Sequence, residues 1–223
     1  MTTPEVILNH GKLYFDFILL IFNCEKYEYK AAKQKETWLK AVTTIPYFHV
    51  RGDTLLETEY RVDYHDNILW LKVADDYNSL PKKVVAAYKA VNELFVFKYI
   101  FKTDDDQNLI SPHFLNTLKG LLLDKKPQIH YGGHLIKVER AYMSQYYRIH
   151  PELPTRLPVL ACKYCSGRFY FLSDSAVTQL ITNKADLINN EYLEDYAIGY
   201  HLDDEFKTNI LNLDTNKHFV DFW

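Results

Sequence analysis

Three adjacent aspartates, Asp104, Asp105 and Asp106, are the local feature of the sequence with the clearest chemical potential. Adjacent carboxylates raise one another's pKa, and hard divalent cations such as Mg²⁺ and Mn²⁺ bind oxygen ligands of this type. A solvated surface turn is the alternative interpretation. However, the triplet follows the apolar stretch Lys98–Lys102, and open α/β sheets bind ligands at the carboxyl ends of their strands. The position therefore favours a site where a metal ion joins carboxylates to a substrate phosphate.

The elements that position this triplet can be predicted from the hydrophobic pattern. The first half of the chain predicts the order β-α-β-β-α-β-α, which is typical of an α/β sheet with parallel strands. Its predicted strands are Leu13–Phe22, Tyr47–Val50, Asn67–Val73 and Lys98–Lys102. Its predicted helices are Tyr29–Val42, a helix from Pro81 to Leu94 with Ser79 as its cap, and a helix from Ser111-Pro112 to about Leu123.

The second half of the chain has a different pattern. Extended segments and hairpins are predicted at Ile129–Gly133 and Tyr142–Ile149, followed by a strand at Phe169–Leu172. Helices are predicted over Ser173–Ile181, capped by Ser173 or Asp174, and within Asp186–His201. We therefore expect one α/β domain over residues 1–223, with a mostly parallel central sheet flanked by helices and a mixed, hairpin-rich C-terminal half.

Composition excludes several classes of protein. The 223 residues carry 26 Lys+Arg and 29 Asp+Glu, a net charge of −3, so nothing indicates a nucleic-acid partner. There are 7 glycines and no G-x-G-x-x-G or G-x-x-x-x-G-K-[ST] motif, which argues against Rossmann and P-loop enzymes. No signal peptide or membrane span is evident, and Cys24, Cys162 and Cys165 do not form a disulfide framework. A cytoplasmic protein is expected, or a protein of the secretory lumen if an anchor has been removed.

Six short motifs follow one another over roughly residues 15–200. They are Lys33–Trp38, Glu59–Leu69, Asp76–Lys83, Tyr99–Asp106, Tyr164–Ser173 and Glu194–Gly199. Together they resemble the motifs of the β-1,3-galactosyltransferase/Fringe family of glycosyltransferases, which have the GT-A fold. The sequence departs from that family at Lys35, where the family has arginine, at Ser79, where it has asparagine, and in lacking the usual membrane anchor and stem.

The resemblance implies an inverting, metal-dependent transfer of a hexose from a UDP-sugar to a hydroxyl of a glycan acceptor. It places nucleotide binding in residues 1–125 and the acceptor side in residues 126–223. Mn²⁺ or Mg²⁺ is the implied cofactor, with Asp106 as the direct metal ligand. Asp104 and Asp105 would contact the metal shell, the ribose or the sugar. The chain could also be one module of a larger protein.

The remaining candidates follow from the same resemblance. Asp195 is the candidate catalytic base, because the attacking hydroxyl must lose a proton, and Glu194 is the second choice. A surface carboxylate pair on a helix is the alternative for both. GT-A enzymes often add a late histidine to the metal, and His218 is the candidate, with His201 as the runner-up. A surface or core role is the alternative for either histidine.

Four residues are candidate contacts to the nucleotide. Phe22 and Asn23, at the end of the first strand, could contact the nucleoside, or they could simply terminate the strand. Lys83 and Lys35 could neutralise phosphate, or they could lie on solvated helix faces. Two other functions remain open at this point: a non-catalytic carbohydrate-binding or scaffold relative with the same fold, and a metal-dependent phosphoesterase.

Overall fold

One mixed sheet runs through the computed structural model, which describes residues 8–9 and 11–221. The described strands are β1 (Leu8–Asn9), β2 (Lys12–Phe22), β3 (Tyr47–Gly52), β4 (Tyr60–Asp63), β5 (Ile68–Leu71), β6 (Phe95–Asp104), β7 (Gln107–Leu109), β8 (Tyr131–Val138), β9 (Tyr142–Met143), β10 (Pro158–Val159), β11 (Cys162–Ser173), β12 (Leu211–Asn212) and β13 (Phe219–Asp221). The described α-helices are α1 (Glu28–Glu36), α2 (Leu80–Leu94), α3 (His113–Asp124), α4 (Asp174–Gln179), α5 (Ala185–Asn189) and α6 (Glu194–His201).

The central sheet has the strand order β12-β8-β11-β6-β2-β3-β5-β4, and β1 pairs with β2. The four strands β6-β2-β3-β5 are parallel to one another. In contrast, β11 runs antiparallel to both β6 and β8, and β4 runs antiparallel to β5. Two short ribbons, β9 with β10 and β7 with β13, lie outside the sheet. The predicted α/β class, with a parallel first half and a mixed, hairpin-rich second half, is confirmed.

The central strand β2 shows how the sequence builds this sheet. Its side chains alternate between two cores, as the two-residue period of a strand requires. Ile18 and Leu20 pack into the cluster that contains α2, α5 and α6, whereas Phe17 and Leu19 pack into the cluster that contains α3. All four side chains are buried. A strand that is buried on both faces reads as a continuous apolar run, as this one does.

The helices differ from their predicted bounds in three places. The helix predicted over residues 29–42 ends at Glu36, and a 3₁₀ turn follows over Trp38–Ala41. The predicted cap Ser79 is wrong: the side chain of Asp76 accepts a hydrogen bond from the Ser79 N–H and caps the 3₁₀ turn before α2. The helix predicted within residues 186–201 is two helices, α5 and α6. No helix among residues 8–9 and 11–221 is long and apolar enough to cross a membrane.

In the second half of the chain, two strands differ in length from the predicted extended segments. The strand predicted over Phe169–Leu172 is the last part of β11, which begins at Cys162 and contains an irregularity between Cys165 and Tyr170. Only Tyr142–Met143 of the predicted extended segment 142–149 is a strand, and a 3₁₀ turn follows. The Ser173 cap of the next helix is confirmed, because its hydroxyl accepts a hydrogen bond from the Ala176 N–H.

Candidate active site

The aspartate triplet lies at the carboxyl end of β6, beside the end of β2. Phe22 is the register partner of Asp104 in the parallel pair β2–β6, and the Asp105 N–H donates to the Phe22 carbonyl at 3.1 Å. Both strands therefore end at the same edge of the sheet, which is where open α/β sheets place their ligands. The edge brings Asn23, the next residue of the chain after β2, against the triplet.

Lys102 connects the triplet to the opposite half of the chain. Its side chain is 1% exposed, and its ammonium donates to Asp104 Oδ1 at 2.7 Å, to Glu194 Oε2 at 2.9 Å and to the Gly167 carbonyl at 3.0 Å. Burial alone would lower the pKa of Lys102, but the charges of Asp104 and Glu194 outweigh it and raise the pKa above its usual value. Lys102 is therefore a buried cation shared by two carboxylates.

Asp104 and Asp105 face different surroundings. The Asp104 side chain is one-third exposed. Partial desolvation and the negative charges of Glu194 and Asp106 raise its pKa to about 6, although Lys102 opposes this shift. Asp105 is buried and accepts a hydrogen bond from Asn23 Nδ2 at 2.8 Å, with the Lys30 ammonium at 3.4 Å. Burial also raises the pKa of Asp105 to about 6, against Lys30 and Asn23. Asp105 is thus fixed between Asn23 and Lys30.

Asp106 is partly exposed and keeps much of its carboxylate unengaged. Its Oδ1 accepts a hydrogen bond from Gln107 Nε2 at 2.8 Å, and the same amide group donates to Asp221 Oδ1 at 2.9 Å. Arg168 pairs with Asp221 at 2.9 Å. The C-terminal ribbon β7–β13 therefore braces the residue that follows Asp106, while Asp106 remains able to bind a ligand.

Glu194, the first residue of α6, is a buried structural carboxylate. It is 4% exposed and accepts hydrogen bonds from Lys102 and from the Tyr170 hydroxyl, which in turn lies 2.8 Å from the Tyr88 hydroxyl. Burial raises the pKa of Glu194, and Lys102 opposes the shift. With its oxygens engaged inside the core, Glu194 is poorly placed to accept a proton from a substrate.

Asp195 is partly exposed and faces Asp104 across Gly167. Its Oδ2 accepts the Gly167 N–H at 2.9 Å and its Oδ1 accepts the Tyr196 N–H at 2.7 Å, and burial raises its pKa against these hydrogen bonds. A Cβ atom placed on Gly167 would lie 3.4 Å from the Lys102 ammonium, 3.5 Å from Asp104 Oδ2 and 3.6 Å from Asp195 Cβ. A longer side chain at this position would fill the space between the two carboxylates.

Lys83 does not lie on a solvated helix face, so that alternative is wrong. It is 3% exposed, and its ammonium contacts the Asp75 carboxylate and the Asn23 carbonyl. Burial lowers its pKa, although Asp75 opposes the shift. Lys83 thereby fixes the loop after β2, and direct contact with a phosphate would require this ion pair to open. Lys35 instead donates to the Asp66 carbonyl at 2.6 Å.

The structure does not bring His218 to the triplet. Its ring stacks on Phe114 with centroids 4.1 Å apart, and its carbonyl accepts the Ile110 N–H. Ile110 directly follows β7 and is three residues beyond Gln107, which is roughly 10 Å of extended chain. The backbone of His218 therefore lies about that far from the end of the triplet. The runner-up, His201, lies 3.1 Å from Glu191. A metal role for either histidine remains a prediction.

The donor set at the triplet fits a magnesium-type ion. Among residues 8–9 and 11–221, no three His, Cys, Asp or Glu side chains gather closely enough to hold a metal by themselves. However, Mg²⁺ is usually held by one or two carboxylates, with water and substrate phosphate as the other ligands. The partly exposed Asp104 and Asp106 supply two carboxylates of this kind. These two ligands would hold the ion only when a substrate phosphate and water complete its coordination.

Comparison with known proteins identifies the family. A family model described as Galactosyltransferase matches residues 49–210, which is more than two thirds of the chain. The protein is therefore a glycosyltransferase. More specifically, the chain belongs to the galactosyltransferase family.

Two other comparisons are less informative. The apo crystal structure of mouse xyloside xylosyltransferase 1 matches with a TM-score of 0.43 and 9% sequence identity, over 91% of this chain and 86% of that chain. A likeness this distant assigns no role to any residue. No curated protein sequence matches the chain.

Sequence reasoning missed two residues that organise the site. Lys102 is the lysine of the motif Tyr99–Asp106, and Gly167 belongs to the motif Tyr164–Ser173, but neither was predicted to contact a site carboxylate. The signal in the sequence was a lysine at the end of a mostly apolar strand, directly before the triplet, because a fully buried lysine requires a carboxylate partner.

Proposed function

We propose that this glycosyltransferase moves a hexose from a UDP-sugar to a hydroxyl of a glycan acceptor, with a divalent metal and with inversion at the anomeric carbon. One observation carries the proposal: the buried Lys102 joins Asp104 of the triplet to Glu194 of α6. Because Asp195 is the next residue of α6, this link holds a second carboxylate opposite the triplet across Gly167. This arrangement supports a metal-binding role for the triplet and a proton-accepting role for Asp195 on opposite sides of Gly167.

Asp106 and Asp104 would hold Mn²⁺ or Mg²⁺ together with the diphosphate of the donor. When bound, the metal supplies positive charge that stabilises the departing nucleoside diphosphate. Asp104 would contribute its second oxygen, since Oδ1 is engaged by Lys102. His218 would join this set only if the C-terminal ribbon moves, because its ring stacks on Phe114.

Asp195 would accept the proton of the attacking acceptor hydroxyl. Burial raises its pKa, so it binds a proton more strongly than an ordinary aspartate. The backbone N–H groups of Gly167 and Tyr196 hold its two oxygens at 2.9 Å and 2.7 Å and so orient the group. Each oxygen keeps a second lone pair for the substrate, and unlike Glu194 the group is partly exposed. Glu194 supports this geometry through Lys102 and does not itself touch the substrate.

The nucleoside would bind in residues 1–125, and the acceptor would bind on the side of residues 126–223. Asn23 is held in place by Asp105 and by the Lys83 contact to its carbonyl. Phe22 is buried and stays within the core. We therefore assign Asn23 and Asp105, and not the Phe22 ring, as the contacts nearest to the ribose or base.

A donor assay tests this proposal. UDP-hexoses are incubated with Mn²⁺ and the protein, and the free sugar and transferred sugar are measured for the wild type, Asp195→Asn and Asp106→Asn. Asp124→Asn is the matched control, because Asp124 is exposed at the end of α3. We expect turnover in the wild type and the control, and its loss in both site variants. Binding of glycans without any donor turnover would instead identify a non-catalytic carbohydrate-binding relative.

A further inference from the structure

A long excursion, residues 139–161, leaves the sheet between β8 and β11, and we call it the strap. It contains the short ribbon β9–β10, and the Ser144 N–H donates to the Leu157 carbonyl at 2.8 Å. Several large apolar side chains of the strap are exposed to solvent: Tyr142, Met143, Tyr146, Ile149 and Leu160. Exposed apolar side chains that cluster on one segment indicate a binding surface more often than isolated ones do.

The strap is fixed at both sides of the candidate active site. On the nucleotide side, the rings of Tyr77 and His150 stack with centroids 3.9 Å apart, and Asn78 Nδ2 donates to the Glu152 carbonyl at 2.9 Å. On the opposite side, the Leu160 N–H donates to the Tyr196 hydroxyl at 3.1 Å. These contacts join the strap to the residues that precede α2 and to α6, the helix that carries Asp195.

Tyr146 is the strap residue that combines exposure with nearness to the carboxylates. Its side chain is 46% exposed, and its ring stacks on His150 at 5.3 Å, which continues the stack from Tyr77. The pKa of the Tyr146 phenol is raised first by burial and then by the negative charges of Asp195, Asp104 and Asp106. The ring belongs to the part of the strap that is held by Tyr77 at one side and, through Leu160, by Tyr196 at the other, and Tyr196 is the residue after the candidate base.

We propose that Tyr146 is the platform on which a neutral hexopyranose of the acceptor stacks, with one hydroxyl directed to Asp195. A pyranose has a face of C–H groups that packs on an aromatic ring, and hydroxyls that hydrogen-bond to a carboxylate. A neutral sugar fits this position because the Lys102 ammonium is already paired with Asp104 and Glu194 and offers no cation to an anionic sugar. This inference rests on the proposed role of Asp195.

Saturation-transfer NMR tests the platform without depending on turnover. The probes are methyl β-D-galactopyranoside, methyl β-D-glucopyranoside and methyl N-acetyl-β-D-glucosaminide, each mixed with protein, UDP and Mn²⁺. Tyr146→Ala removes the ring, and Tyr146→Phe keeps the ring without its hydroxyl. Tyr64→Ala is the matched control, because Tyr64 is 59% exposed and follows the edge strand β4.

We expect at least one glycoside to receive saturation, mainly on the C–H groups of one ring face. Tyr146→Phe and Tyr64→Ala should keep this signal, and Tyr146→Ala should weaken binding about three- to tenfold, as expected for loss of one aromatic contact. The dispersion of methyl and amide signals in the proton spectrum of the same tube shows that each variant is folded. If UDP binds but no glycoside does, or if Tyr146→Ala binds as well as the wild type, the platform is refuted. If glycosides bind through Tyr146 while UDP does not bind, the platform stands and the proposed transferase function fails.

Discussion

Replacing Lys102 with methionine would break the link between the two halves of the site. Methionine has a similar length but no charge, so Glu194, with its side chain 3% exposed, would keep only its hydrogen bond from Tyr170. Removing one partner of a buried ion pair costs about 3–5 kcal/mol of unfolding free energy. For a chain of this length, 1 kcal/mol changes the melting temperature by about 2–4 °C. We therefore expect Lys102→Met to melt roughly 6–20 °C below the wild type at pH 7.5.

The loss of stability in Lys102→Met should be larger at high pH than at low pH. Burial raises the pKa of Glu194 above its unfolded value, and without Lys102 it rises further. A group of this kind favours the folded state below its unfolded pKa and loses that contribution as the pH rises through its folded pKa. The stability deficit of Lys102→Met should therefore be smaller at pH 5.5 than at pH 8, which urea unfolding at the two pH values measures.

A double variant provides the control. Lys102→Met combined with Glu194→Gln removes both buried charges while keeping similar volumes, and it should recover most of the lost stability. A deficit below about 1 kcal/mol for the single variant would refute the buried-pair reasoning. So would a double variant that is no more stable than Lys102→Met, because the cost would then come from packing and not from an unpaired charge.

Three further predictions concern single residues of the site. Asp105→Asn should raise the unfolding free energy at pH 7.5 by about 1–3 kcal/mol, because the pKa of about 6 exceeds the unfolded value, and the gain should vanish below pH 4; urea unfolding that shows no gain at pH 7.5 would contradict it. Asp195→Asn should lower kcat by about 10²- to 10⁴-fold while calorimetry shows UDP affinity within about twofold of the wild type; a parallel loss of UDP affinity would exclude the role of base. Tyr77→Ala removes the stack on His150, so hydrogen exchange should accelerate at the amides of the strap and not in β2; unchanged exchange would show that the stack does not hold the strap.

The parallel half of the fold could be predicted because each element carries its own pattern. The run Leu13–Phe22 predicts a strand that is buried on both faces, and β2 is that strand. The triplet follows an apolar strand directly, so its place at the carboxyl edge of the sheet could be inferred from sequence alone. In the same way, Ser173 carries a local capping signal that the structure confirms.

The remaining features of the fold and of the site depend on contacts between residues that are far apart in the chain. Lys102 and Glu194 are 92 residues apart, so no local pattern reveals that they form an ion pair. The position of the strap depends on the stack between Tyr77 and His150, which belong to different halves. Ser79 was predicted to cap α2 because serine often does so, but Asp76 starts an earlier 3₁₀ turn and takes over the capping role.

Anomalous diffraction from crystals grown with UDP and Mn²⁺ tests the central claim most directly. The account predicts one manganese peak within coordination distance of Asp106, with Asp104 beside it and the diphosphate as the remaining bound group. Crystals of Asp106→Asn, grown in the same way, should show a weakened peak or none. A fully occupied manganese and UDP bound away from residues 104–106 in the wild type would contradict the account.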